Sequence, residues 1–105
     1  MKILGVDPGS TRVGYGLIDY DKNRFQFIAS GILDIKEKNK NQRLVELEKS
    51  FLAIVKKNKP DLVALEKIFF VKNMKTALEV AQSRGVLTLI VTKNKIPLME
   101  FAPSE

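Results

Sequence analysis

Two hydrophobic rhythms divide this chain: short apolar runs and alternations before residue 40 and again near residue 62, and helical spacings in between and afterwards. Ile3-Leu4-Gly5-Val6 and Leu62-Val63-Ala64-Leu65 are unbroken apolar runs, the mark of strands buried on both faces in an α/β sheet. Residues 2 to 6 form the first predicted strand. Val13 to Asp19 and Phe25 to Asp34 read as two more, joined by an Asp21-Lys22-Asn23 turn into an antiparallel meander. Leu44, Leu47, Phe51, Ile54 and Val55 recur at helical spacing, which predicts a helix from about Asn41 to Lys57 that ends before Pro60. A helical crossover reverses direction twice, so the strand from Asp61 to Leu65 runs parallel to the first. Asn73 suits the N-cap of a second helix running to about Thr92, and Pro97 to Phe101 forms a fifth strand. Leu78, Val80, Ala81, Val86, Leu87, Leu89, Ile90 and Val91 make this second helix apolar nearly all round, so it is either sandwiched or shared with a partner.

Both unbroken runs stop at an acid. Asp7 follows Val6, and Glu66 follows Leu65. Chemistry in parallel sheets gathers at the carboxyl ends of strands. Neighbouring strands lie about 4.8 Å apart, so if these two pair, the carboxylates share one small volume. Two bare charges about 5 Å apart repel by roughly 3 kcal/mol at an effective dielectric near 20. Either one carboxylate takes a proton or a divalent cation sits between them.

Composition narrows the chemistry. The 105 residues suit one domain with a modest core, and 45% apolar with 29% charged residues describes a folded globule. No Cys and no His are present, which removes disulfides, zinc sites and His- or Cys-based nucleophiles, and leaves oxygen as the only ligand type for a metal. The longest uncharged apolar stretch, 85 to 92, is far too short to cross a bilayer, and the amino terminus begins a strand, so a soluble cytoplasmic protein without membrane contact is expected. The net charge of +6 suits a polyanionic partner. Lys67, Lys72, Lys75 and Arg84 follow Glu66 closely, whereas Lys36, Lys38, Lys40 and Arg43 read as a solvated loop and helix start.

Three local features bear on binding. In Asp7-Pro8-Gly9-Ser10-Thr11, Pro8 fixes the bend, Gly9 permits a positive φ, and the Ser10 and Thr11 hydroxyls could meet a phosphate; neither established phosphate-loop pattern is present. Gly14 and Gly16 share one face of a strand and admit close approach by another backbone. Ile68-Phe69-Phe70-Val71-Lys72-Asn73 sets two aromatics beside basic side chains in a loop, a combination suited to base stacking next to phosphate contacts, with Phe69 on the ligand side.

Ile3-Leu4-Gly5-Val6-Asp7-Pro8-Gly9-Ser10 followed by Gly14-Tyr15-Gly16 resembles the opening of the RuvC family of Holliday junction resolvases. Ala64-Leu65-Glu66-Lys67-Ile68-Phe69-Phe70 with Lys72-Asn73 resembles its second motif, and Ala77-Leu78, Gln82-Ser83-Arg84-Gly85-Val86 and Pro97-Leu98-Met99-Glu100-Phe101-Ala102-Pro103 continue the likeness over the whole chain. Ala81 and Ser83 stand where the family often has Gly and Ala. The resemblance implies a ribonuclease H-like mixed five-stranded sheet in the order 3-2-1-4-5 and a magnesium-dependent endonuclease that works as a homodimer on four-way DNA junctions. It also implies a branch-migration helicase as a partner. On it, Asp7 and Glu66 are catalytic metal ligands, with two metals activating water and stabilising the leaving oxygen. Ser10, Thr11, Phe69, Lys72, Asn73, Lys75 and Arg84 would contact DNA, and Leu78, Ala81, Gln82 and Gly85 would meet the second subunit.

The family adds two acids on a later helix, beyond Glu105. Residues 1 to 105 are therefore expected to be one ribonuclease H-like domain, incomplete at the carboxyl end, with an apolar face exposed and catalysis unfinished. Glu100 and Glu105 are not expected to replace the missing ligands. Three rivals are a sugar kinase or actin-like ATPase phosphate motif, which also has the Asp-x-Gly-Ser-Thr turn, a ribonuclease H-like nuclease acting on RNA, and a junction-binding module without catalysis.

Overall fold

A computed structural model describes residues 1–67 and 73–102. Their elements are β1 (Lys2–Asp7), β2 (Arg12–Asp21), β3 (Arg24–Asp34), α1 (Lys40–Asn58), β4 (Leu62–Glu66), α2 (Met74–Lys93) and β5 (Leu98–Phe101). The strands form one sheet in the order β3-β2-β1-β4-β5. β1 pairs antiparallel with β2 and parallel with β4, and β4 pairs parallel with β5. Topology, strand order and every element type agree with the expectation, and boundaries differ by one or two residues.

Local chemistry explains the boundaries. Lys22 and Asn23 take positive φ values of 49° and 64°, the twist a two-residue hairpin loop needs between β2 and β3. Asn39 caps α1, its side chain accepting from the Asn41 and Gln42 amides at 3.0 Å each, so the helix starts a residue earlier than its apolar spacing suggests. Lys59 closes it in the left-handed region just before Pro60. Asn73 caps α2, accepting from Lys75 and Thr76.

The register of β1 on β4 is tied at its amino end. The Lys2 amide donates to the Asp61 carboxylate at 2.8 Å while the Asp61 amide donates to the Lys2 carbonyl at 2.8 Å. This reciprocal pair places Ile3 beside Leu62 and carries the ladder to Val6 beside Leu65.

Side chains alternate across a strand, and here the alternation separates two environments. Leu4, Val6, Val13, Leu17, Val63 and Leu65 face both helices and join Leu47, Phe51, Val55, Leu87, Ile90 and Val91 in one core. Phe51 and Leu4 are fully buried; each contributes about 1.5–3 kcal/mol by leaving water. The alternate residues of the strands form the other face, on which Phe25, Phe27, Ile32 and Met99 stay exposed.

Candidate active site

Asp7 and Glu66 each follow the last laddered pair, Val6 with Leu65, so they stand side by side at the carboxyl ends of two central parallel strands. Both project away from the helices because they alternate with buried neighbours. Glu66 is held above the ordinary carboxylate range, first by a hydrogen bond shared with the Asp7 carboxylate, then by partial burial and by Asp7's negative charge. Such a pair wants a proton or a cation between its members.

The ground beside the acids is bare. Gly14 lies opposite Asp7, and Gly16 opposite Gly5. A Cβ on Gly14 would meet only the Asp7 Cβ, at 3.9 Å, and one on Gly16 would meet nothing within 4 Å. With Ala64 next in the row, these positions leave a shallow floor on which a sugar-phosphate backbone could come close to the carboxylates.

The Pro8-Gly9-Ser10 turn corrects one expectation. No glycine among the described residues has a positive φ. Gly9 is needed for closeness instead, because a Cβ there would run into the Arg12 carbonyl oxygen. Thr11 anchors the turn through its carbonyl, which accepts from the Ile35 amide at 2.8 Å. Ser10 and Thr11 thus sit at the same sheet edge as the acids.

The other described candidates lie along α2 or at its N-cap. Lys75 is exposed in the first turn of α2, and the Asn73 side-chain oxygen is taken by the helix cap. Phe69 and Lys72 lie outside the described residues. Leu78, Ala81, Gln82 and Gly85 are all exposed and line one side of α2 together with Met74 and Leu89, opposite its buried Ser83, Leu87, Ile90 and Val91. This division accounts for a helix that is apolar nearly all round.

Arg84 is not free. Its Nη2 meets Glu100 Oε1 at 2.9 Å, and its Nε is buried without a hydrogen-bond partner. Arg84 holds Glu100 below the ordinary carboxylate range by hydrogen bond and by charge, with a further contribution from Lys67. Glu100 pairs in register with buried Leu65, so it lies on the helix side of the sheet and cannot join Asp7 and Glu66. Strand alternation is the sequence signal for this pair: it puts Glu100 on the same face as Leu98 and opposite Met99, and the register with β4 turns that face towards α2. Among the described residues no cluster of three or more potential metal-ligating side chains occurs.

A sequence model of the family described as "Crossover junction endodeoxyribonuclease RuvC" matches residues 3–105. The chain belongs to the RuvC family. Relatives of that name include one from Fusobacterium nucleatum, 40% identical over 104 residues that make up 98% of this chain and 55% of the relative. Another, from Thermotoga petrophila, is 42% identical over 106 residues, 100% of this chain and 64% of the relative. The chain therefore spans between about half and two-thirds of the length of these RuvC proteins. A solved structure of Thermus thermophilus RuvC with a Holliday junction substrate superposes with a TM-score of 0.89 at 19% identity, covering 99% of this chain and 67% of that one. The Fowlpox virus resolvase in complex with junction DNA superposes at 0.71 with 22% identity, covering 100% and 62%. At such identities these two likenesses establish the ribonuclease H-like fold. No described helix is long and apolar enough to cross a membrane.

Proposed function

We propose that this chain supplies part of the nuclease domain of a Holliday junction resolvase, with Asp7 and Glu66 as two of its catalytic metal ligands. The observation that carries the reading is the juxtaposition of the two carboxylates at neighbouring strand ends, with Glu66 proton-hungry because of Asp7. An all-oxygen pair of this kind fits a hard divalent cation such as magnesium. When bound, the cation would neutralise charge on a phosphodiester and make water acidic enough to attack it.

Asp7 and Glu66 fix where that charge is offered, and the Gly14–Gly16 floor lets the backbone of the substrate approach. Ser10, Thr11, Lys67 and Lys75 rim the same edge and serve phosphates as donors and cations. Phe69 would stack on an unpaired base, and Lys72 and Asn73 would contact the DNA. Arg84 reaches phosphate only by leaving Glu100. The exposed side of α2, with Leu78, Ala81, Gln82 and Gly85, meets the same surface of a second subunit across a twofold axis, so two sites cut symmetrically. A branch-migration helicase and a cytoplasmic setting complete the reading. The remaining acidic ligands come from sequence after Glu105, which makes residues 1 to 105 one incomplete domain.

A chimera that continues this chain with the last third of the Thermotoga petrophila relative tests the proposal. It should nick a four-way junction in magnesium, and Asp7→Asn or Glu66→Gln should lower cleavage by at least about a thousandfold while junction binding stays within about threefold. Normal cleavage by either variant rejects the site. Cleavage by the 105 residues alone rejects the incompleteness. A chimera that binds junctions but never cleaves favours a binding module, the reading suggested by finding only two clustered acids among the described residues.

A further inference from the structure

Among the described residues a dense group of lysines lies at the end of the parallel strands opposite the carboxylate pair. Segments 55–61 and 93–97 hold five lysines and a single acid, Asp61, and Lys2 adds a sixth lysine, its strand partner Asp19 being neutralised by the amino terminus. That local surplus of five compares with +6 for the whole chain. α1 and α2 are both crossovers between parallel strands, so both finish there. Asp61 is already engaged by the Lys2 amide. Among the described residues Lys56, Lys57, Lys59, Lys93 and Lys95 make no ion pair: the pairs found are the amino terminus with Asp19, Lys36 with Asp34, Lys40 and Arg43 with Glu79, and Arg84 with Glu100.

Part of this has a helical reason. Lys56, Lys57 and Lys93 occupy last turns, where cations offset the exposed carbonyls. Lys59 and Lys95 do not share it. Both lie past a helix end with positive φ, 46° and 58°, where Gly or Asn is the usual choice. Between the two helix ends lies a groove of about 510 Å³ lined by Val55, Lys56, Lys59, Pro60, Asn94 and Ile96. Its floor is apolar, since Val55 and Pro60 are buried and Ile96 half-buried, and its rim is lysine.

We propose that this groove docks an acidic peptide segment of a partner protein, which inserts an apolar side chain between Val55, Pro60 and Ile96 while its carboxylates meet Lys56, Lys59 and Lys95. Charge complementarity selects an anionic occupant. The apolar floor favours a peptide over a nucleic acid, because a peptide can insert an aliphatic side chain there whereas a sugar-phosphate backbone presents only short sugar CH groups flanked by charged phosphates. The lining offers no aromatic for stacking and no arginine for bidentate base contacts. β1 has six residues, so the groove lies about 17 Å from the carboxylate pair and can be filled while that site is in use. The inference holds whether or not the nuclease reading does.

A short fluorescein-labelled peptide of Glu and Asp around a central Leu-Leu, titrated with the 105-residue chain, is the probe. Fluorescence anisotropy should show saturable binding. The triple variant K56E/K59E/K95E should weaken it at least about tenfold, and the Lys→Gln version about threefold. Replacing Leu-Leu by Gly-Gly should weaken it severalfold, and amide NMR shifts should centre on Val55, Asn94 and Ile96. The milder Lys→Gln variant and the shifts keep the test decisive if the charge reversals unfold the chain. No binding, indifference to Leu-Leu, shifts elsewhere, or equal affinity for a DNA duplex of matching charge would each overturn the proposal, the last by revealing an unselective polyanion surface.

Discussion

The two faces of the sheet differ in almost every physical respect, although they are built from alternate residues of the same strands. On the helix face Leu4, Val6, Val63 and Leu65 are buried, and Glu100 is tied to Arg84 of α2. On the other face stand Asp7 and Glu66, the glycines beside them, and exposed Phe25, Phe27, Ile32 and Met99. One face holds the fold together, and the other carries the proposed site at some cost in repulsion. Because the strand period is two, a slip of one residue would exchange them, so the Lys2–Asp61 tie that sets the β1–β4 register protects the site as well as the core.

Substitutions should respect this division. The largest effect belongs to the helix face: Phe51→Ala leaves a cavity under the sheet and should cost about 3–5 kcal/mol in urea denaturation, comparable to the whole stability of a small domain. Asp7→Asn should act in the opposite direction. By removing the repulsion on Glu66 it should stabilise the chain at neutral pH without divalent ions by about 0.5–1 kcal/mol, or roughly 2–6 °C in melting temperature, since water screens the pair.

The pH dependences should also run in opposite directions. Glu66 binds its proton more tightly folded than unfolded, so its contribution favours the fold in acid and is lost as pH rises through the raised value. Glu100 is the reverse: its contribution is present above the ordinary carboxylate range and is lost as pH falls through the lowered value, and Arg84→Ala should erase that segment of the stability profile. The smallest effect is expected at Phe27→Ser on the open face, where 67% exposure leaves little to lose and stability should move by less than about 0.5 kcal/mol. A large loss there would mean that the open face helps to hold the fold after all.

Much of this layout was legible in the residues. Unbroken apolar runs ending in acids gave the two central strands, and the crossover rule made them parallel, which put Asp7 beside Glu66. Helical spacing found α1, and Asn73 announced α2. What escaped depended on relations between distant segments. The use of Gly9 for a close approach to the Arg12 carbonyl, rather than for a positive φ, is a four-residue geometry that composition does not specify. The Arg84–Glu100 pair needed the parity of β5 relative to α2, and the lysine edge needed both helix ends brought together. The lysine edge is assembled from three separate segments, so no single run of the sequence marks it.

The most direct test of the central claim is a carbon-detected NMR titration of the Glu66 carboxyl in the 105-residue chain, with and without magnesium. If the two acids form a coupled pair that accepts a divalent cation, Glu66 should titrate above the ordinary carboxylate range, return to it in Asp7→Asn, and fall when magnesium is added to the unaltered chain. An ordinary titration, unmoved by either the substitution or the ion, would contradict the account.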